Sequence, residues 1–251
     1  MAHALPLVQV DSGPGTVWSL DVGGGTRALL GSSDALRGLS DYEYRRDGTL
    51  FGIDAGSGAV WSLDVAGGSR SLVAFDSAFR GMYDYEFQGN GRLLGVDGVG
   101  IWDLDVAAGT RNLLSQSNAV LRYADYEFSP TGVLFGIDAA LGAVWELDLQ
   151  AGTRALIGFD NNLRGYSDYE FDLDGQLIGI NAGSGMVWAL SASDGTRTLL
   201  GYDQAFANAS GILDYEFQPA ARAVPEPTVM ALCLISLAGV IVARRSTRPH
   251  T

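Results

Sequence analysis

The sequence predicts an all-β chain, a five-bladed β-propeller of four-stranded antiparallel blades, followed by one C-terminal transmembrane helix. Three observations carry this. Tryptophan recurs at residues 18, 61, 102, 145 and 188, at spacings of 43, 41, 43 and 43. DYEF or DYEY starts at 41, 84, 125, 168 and 214, and a Gly-Thr/Ser-Arg triplet ends at Arg27, Arg70, Arg111, Arg154 and Arg197. An apolar run, TVMALCLISLAGVIVA, fills 228–243. Self-similarity at a period of about 40–45 residues is the mark of propeller blades.

One unit shows the elements in order, DYEYRRDGTLFGIDAGSGAVWSLDVAGGSRSLV over 41–73. DYEY is a short strand and RRDG a turn. TLFGID is a second strand and AGSG a turn. VWSLDV is a third strand, in which Trp61 and Leu63 alternate with Ser62 and Asp64 at the period of two that a sheet requires. AGG then turns the chain into a fourth strand, SRSLV. Short strands joined by glycine-rich turns make one antiparallel blade.

The ends of the repeat region predict how the ring closes. VQVDSGPGTVW at 8–18 aligns with FGIDAGSGAVW at 51–61, so the repeats begin on the second strand of a blade. They end with DYEF at 214–217, which is a first strand. Joined, the two ends make a fifth sheet and remove two open strand edges. A capped solenoid is the alternative, and it leaves unexplained why the two fragments add up to one blade. The propeller is assigned to 5–217, a linker to 218–223 and a separate tail to 224–251.

Composition narrows the function. All 16 basic residues are arginines, and Arg244, Arg245 and Arg248 lie beyond the last acid, so the chain up to 227 sets 13 arginines against 29 acids, a net of −16. Such a surface repels nucleic acid and anionic lipid; it suits cations or neutral partners such as glycans. The two histidines, His3 and His250, sit at the extreme ends, which removes nucleophile–histidine catalysis and zinc chemistry. A carboxylate pair, as in glycoside hydrolysis, is the enzymatic option left, but most carboxylates here are repeated equivalently. The expectation is no enzyme, no catalytic residue and no cofactor.

The repeated motifs have structural and functional readings. In DYEF, alternation puts Asp and Glu on one face and the aromatic pair on the other. The carboxylates are expected to accept backbone amides or pair with the repeated arginine; the alternative is an axial site for Ca²⁺. Asp11, Asp54, Asp97, Asp138 and Asn181 precede glycine-containing turns and are expected to make local turn bonds. Asp21, Asp64, Asp105 and Asp148 close the third strand in the same way. The tryptophans are expected between blades, or else as sugar-stacking platforms on a rim. Residues that break the symmetry are the better candidates for a site: Asp103, Glu146, Asn161, Asn162 and the insertion at 206–211.

The tail carries a resemblance. Val-Pro-Glu-Pro at 224–227, an apolar helix over 228–243 and an arginine cluster at 244–251 resemble the PEP-CTERM sorting signal, over about the last 27 residues. Sixteen helical residues span about 24 Å, a short crossing of a hydrocarbon core of about 30 Å. The resemblance implies that Pro225, Glu226 and Pro227 are read by exosortase. It also implies that the helix, with Cys233 inside it, holds the chain in the inner membrane, and that Arg244 and Arg245 fix its orientation. It further implies export to the surface or extracellular matrix of a Gram-negative bacterium, with exopolysaccharide or surface glycans as partners. Ala2-His3-Ala4 fits a small-x-small cleavage box, so residues 1–4 are read as the remnant of a signal peptide. The ring also looks like five-bladed lectins in architecture, with no motif match to them. The functional expectation is an exported, non-enzymatic binding module, with a structural coat protein as the alternative.

Overall fold

The computed structural model describes residues 7–202 and 213–219. The signal-peptide remnant, the insertion at 206–211 and the tail at 224–251 lie outside the described residues.

Among the described residues, twenty strands form five four-stranded antiparallel sheets. Blade one is β4 (Asp41–Tyr44), β5 (Leu50–Asp54), β6 (Ala59–Asp64) and β7 (Ser69–Phe75). Blade two is β8 (Asp84–Phe87), β9 (Leu93–Val96), β10 (Ile101–Asp105) and β11 (Thr110–Ser115). Blade three is β12 (Asp125–Phe128), β13 (Leu134–Asp138), β14 (Ala143–Asp148) and β15 (Thr153–Phe159). Blade four is β16 (Asp168–Phe171), β17 (Leu177–Asn181), β18 (Met186–Leu190) and β19 (Arg197–Tyr202). The fifth joins both ends of the repeat region: β20 (Leu213–Phe217) pairs with β1 (Leu7–Asp11), followed by β2 (Thr16–Asp21) and β3 (Thr26–Ser32). Its register, Leu7 opposite Phe217 and Gln9 opposite Tyr215, is the closure the repeat alignment predicts. The DYEF strands are innermost, and each lies beside those of its two neighbours, β20 beside β4 included.

A cross-strand row explains why the unit reads as it does. In blade one Tyr42 faces Gly52, Gly52 faces Trp61, and Trp61 faces Leu72. A side chain at Gly52 would collide with Leu39, which fills the space between the two rings. Gly95, Gly136 and Gly179 admit Met82, Tyr123 and Tyr166 in the same way. The closing blade carries Gln9 at this position, fully buried, with its Nε2 donating to the Tyr215 hydroxyl at 3.1 Å. Apolar clusters lie between blades; one joins Val8, Val10 and Val17 of the closing blade to Tyr42, Leu50 and Leu63 of blade one.

Three features were not visible in the sequence. Outer strands lead into 3-10 turns at Asp34–Leu36, Ser77–Phe79 and Asn161–Leu163, each capped by the side chain of Ser33, Asp76 or Asp160. The DYEF tyrosine ties the chain there to the core. Tyr42, Tyr85, Tyr126 and Tyr169 donate their hydroxyls to the carbonyls of Leu36, Phe79, Val120 and Leu163, at 2.7, 2.6, 3.2 and 2.7 Å. Every blade also carries a bulge just before its tryptophan, which leaves Leu30, Val73, Leu114, Ile157 and Leu200 unpaired on the outer strand.

Tyr85→Phe leaves the buried Phe79 carbonyl without its donor. The expected loss is about 1–2 kcal/mol, read as a lower urea midpoint with an unchanged slope. An unchanged midpoint would remove the tyrosine hydroxyl from the frame.

Candidate functional site

Alternation along DYEF turns Asp and Glu of each innermost strand to the same side, and five-fold repetition brings all of them to the axis. Asp41, Asp84, Asp125, Asp168 and Asp214 form one ring. Glu43, Glu86, Glu127, Glu170 and Glu216 form a second, each at most 8% exposed. None of the ten takes part in an ion pair among the described residues.

The aspartates link the blades. The Tyr169 amide donates to Asp125 at 3.0 Å, the Tyr215 amide to Asp168 at 2.9 Å, and the Tyr42 amide to Asp214 at 2.6 Å. The Tyr126 amide serves Asp84 in the same sense. Innermost strands have no strand partner on the axial side, so a carboxylate from the next blade satisfies an otherwise bare amide. Asp41 departs from the pattern: like Asp168 it accepts from the amide that follows it, Tyr42 at 3.0 Å, but it lies against the Asp214 carboxyl instead of a next-blade amide. The expected backbone contact is therefore present, and the alternative pairing with the repeated arginine is not.

Burial raises the pKa of every axial carboxyl, and the charges of the other rings' members raise most of them further. Asp125 is pushed up to about 7 and Asp214 to about 6, in both cases by burial, with the Tyr169 and Tyr42 amides pulling back. A cavity of about 200 Å³ opens on the aspartate ring, lined also by Ser40, Ser167, Tyr83 and Tyr166.

The repeated arginines lie at the opposite end of each blade, on the outer strand. Arg27, Arg70, Arg111, Arg154 and Arg197 stack over Trp18, Trp61, Trp102, Trp145 and Trp188, 4.0–4.4 Å from the ring centroids. A guanidinium over an indole face is a favourable cation–π contact. The indoles are half-buried and pack on the interblade clusters, and the arginine occupies the face a sugar would need. This pairing was missed, although Trp and Arg recur in step nine residues apart in every unit.

The turn aspartates act locally. Asp54 accepts from the Gly56 and Ser57 amides, Asp97 from Val99 and Gly100, and Asp138 from Ala140 and Leu141. Asp21, Asp64, Asp105 and Asp148 do the same one turn later.

Two clefts occupy equivalent positions between blades. One, about 370 Å³, lies between blade four and the closing blade and is lined by Asp21, Asp172, Leu173, Asp174, Ile178 and Leu200 among others. The other, about 540 Å³, lies between blades one and two, with Arg45, Phe51, Phe87, Arg92, Asp103 and Asn112. Position is shared and chemistry is not: the first is apolar with an acidic rim, the second carries two arginines. Asp103, nominated because it breaks the repeat, lines the second cleft and is ion-paired with Arg92. Asn162 instead ties its 3-10 turn to the Gly195 carbonyl, at 3.0 Å, and Glu146 is exposed. Pro225, Glu226, Pro227, Arg244 and Arg245 lie outside the described residues. Among those described, no helix is long and apolar enough to cross a membrane.

The axial shifts have a sign. These carboxyls bind protons more tightly folded than unfolded, so the stability they confer is full below about pH 4 and is lost as pH rises through about 6 for Asp214 and about 7 for Asp125. Asp47 and Asp194, lowered to about 2 by hydrogen bonds from Arg45 and Ser191, act below this window. Thermal unfolding in a chelating buffer is expected to show a Tm several degrees higher at pH 5 than at pH 8. A higher Tm at pH 8 would contradict the assignment.

No family model matches the chain and no curated protein matches it. Solved structures share the fold. A chain from work on the de novo evolutionary emergence of a symmetrical protein is 18% identical, with a TM-score of 0.54 over 79% of this chain and 89% of that one. A chain of a nidogen/laminin complex is 16% identical, with a TM-score of 0.52 over 84% of each. TolB from Acinetobacter baumannii is 15% identical, with a TM-score of 0.50 over 78% of this chain and 52% of its own. At these identities the likeness establishes a propeller fold and nothing of activity.

Proposed function

We propose that the chain is a non-enzymatic binding module whose interblade clefts take saccharides, carried to the cell surface or extracellular matrix by its tail. The observation that carries the binding reading is the recurrence of one cleft at two blade junctions. Each has an apolar floor and a polar rim and falls in the range of small-ligand sites, about 300–1,000 Å³. Several weak sites on one ring gain avidity for a repeating polymer. The different rims imply that the sites prefer different substituents on that polymer. An exposed aliphatic pair on the outer strands, such as Leu29–Leu30, Leu72–Val73 and Leu199–Leu200, favours a second reading as a self-associating coat protein.

Calorimetry of the full-length chain with fragments of the producing organism's exopolysaccharide is expected to give saturable heat with more than one site. Asp103→Ala with Arg92→Ala should weaken one class of site about tenfold. No heat would overturn the saccharide reading and leave the coat; steady release of new reducing ends would overturn the non-enzymatic one.

For the tail, the proposal is that exosortase reads Pro225, Glu226 and Pro227 while the 228–243 helix and Arg244–Arg245 hold the chain in the inner membrane. Glu226→Ala is expected to retain the protein in the membrane fraction, as deletion of the exosortase does. Unchanged release in both backgrounds would sink the assignment.

A further inference from the structure

Each DYEF strand runs from the aspartate ring to the opposite end of its sheet, where a hairpin turns the chain into the second strand. The hairpins differ: RRDG at 45–48, QGNG at 88–91, SPTG at 129–132 and DLDG at 172–175. A cleft of about 390 Å³ lies among the first three, lined by Arg46 of blade one, Gln88 and Asn90 of blade two, and Phe128, Pro130 and Thr131 of blade three. Among the described residues no carboxylate lines it, on a chain of 29 acids and 16 arginines. Aspartates line the axial cavity and both interblade clefts. The cleft also lies within the size range of small-ligand sites.

Its positive charge is uncommitted. The one acid of that hairpin, Asp47, is taken by Arg45, whose Nε donates at 2.9 Å and whose Nη2 pairs with the same oxygen. The exposed Arg46 side chain makes no ion pair, hydrogen bond or ring contact among the described residues. It reaches over blade two, where a Cβ on Gly89 would come within 3.3 Å of its Nη1. The neighbouring amides are set as donors. Asn90 Oδ1 accepts from the Arg92 amide at 3.0 Å, and its Nδ2 donates to Gln88 Oε1 at 3.3 Å. Gln88 Nε2 keeps its N–H groups unclaimed. A guanidinium beside an amide N–H suits a group that only accepts, and arginine binds oxyanions in a bidentate fork. The half-buried Phe128 ring and Pro130 supply an apolar wall.

We propose that this cleft binds the anionic substituent of an acidic saccharide, a uronic acid carboxylate or a sulfate ester. Arg46 and Gln88 hold the anion, and Phe128 lies against the sugar ring. The proposal rests on the saccharide reading above and adds a site with its own ligand class. The chain's net charge of −13 repels an acidic polymer at long range, so the probes are short oligomers at about 0.15 M salt, where the screening length is about 8 Å.

The test is calorimetry of the full-length chain with an oligogalacturonate, with its neutral methyl ester, and with a sulfated galactan oligomer. Saturable heat is expected with an acidic oligomer, and the tighter of the two tells carboxylate from sulfate ester. Arg46→Gln should leave the Tm unchanged and weaken that oligomer about tenfold, the loss of one charge-assisted contact. Arg122→Gln, which removes the same charge at the aspartate end, should leave its binding unchanged. Equal binding of the methyl ester, full binding by Arg46→Gln, or an equal loss with Arg122→Gln would each overturn the proposal and leave the saccharide reading standing. No heat with either acidic oligomer would also overturn it; the saccharide reading falls as well only if exopolysaccharide fragments give none.

Discussion

The carboxylate that crosses from one innermost strand to the amide of the next is the contact on which the ring depends. Each blade has two strand edges without a strand partner, and the inner one, the DYEF strand, faces the axis. Asp125, Asp168 and Asp214 satisfy that edge from the neighbouring blade. This locks angle and spacing together. It also forces ten acids into one buried column, where burial and mutual repulsion oppose ionisation. The frame and its electrostatic strain are the same interaction seen from two sides.

Outward from the axis the problem reverses, because blades splay and leave a widening gap. The row Tyr42, Gly52, Trp61, Leu72 meets this with a small residue where a loop side chain must enter and a large one further out. The arginine laid over each indole then covers what the neighbouring blade cannot reach. A bulge on the outer strand twists the edge at the same point. Apolar pairs such as Leu72 and Val73 remain open there, about half exposed. The chain thus packs its tryptophans and the DYEF tyrosines between blades and leaves aliphatic surface on the perimeter, together with the exposed rings of Phe75, Phe159 and Tyr202.

What was legible in the sequence follows from this division. Strand number, order and closure could be read because each is a pattern within one unit: alternation around Trp61, turn glycines, and the match of 8–18 to 51–61. The inward side of DYEF could be read as a face, and its amide contacts as one option among several. The Arg27–Trp18 stack was hidden because two motifs in step do not reveal which strand carries each toward the other. The clefts were hidden for a stronger reason. Arg45 and Asp103 lie 58 residues apart and meet only once two blades are set side by side. The 3-10 turns rest on caps such as Asp76 and Asp160, which read in the sequence as ordinary loop polar residues.

Repetition and departure from it then answer different demands. Tyr and Asp of DYEF recur because they make the frame's contacts: four of the tyrosine hydroxyls tie the preceding chain to the core, and four of the aspartates reach an amide of the next blade, so a change at one would break the ring locally. The residues facing the clefts are under no such demand. Asp172 and Arg45 occupy corresponding places on blades four and one and carry opposite charge, with no change in the strands that hold them. A ring built this way can alter the chemistry of one junction without disturbing the other four. Selectivity in such a molecule belongs to the junctions where the repeat fails to repeat, and the constant axis is what permits the failure.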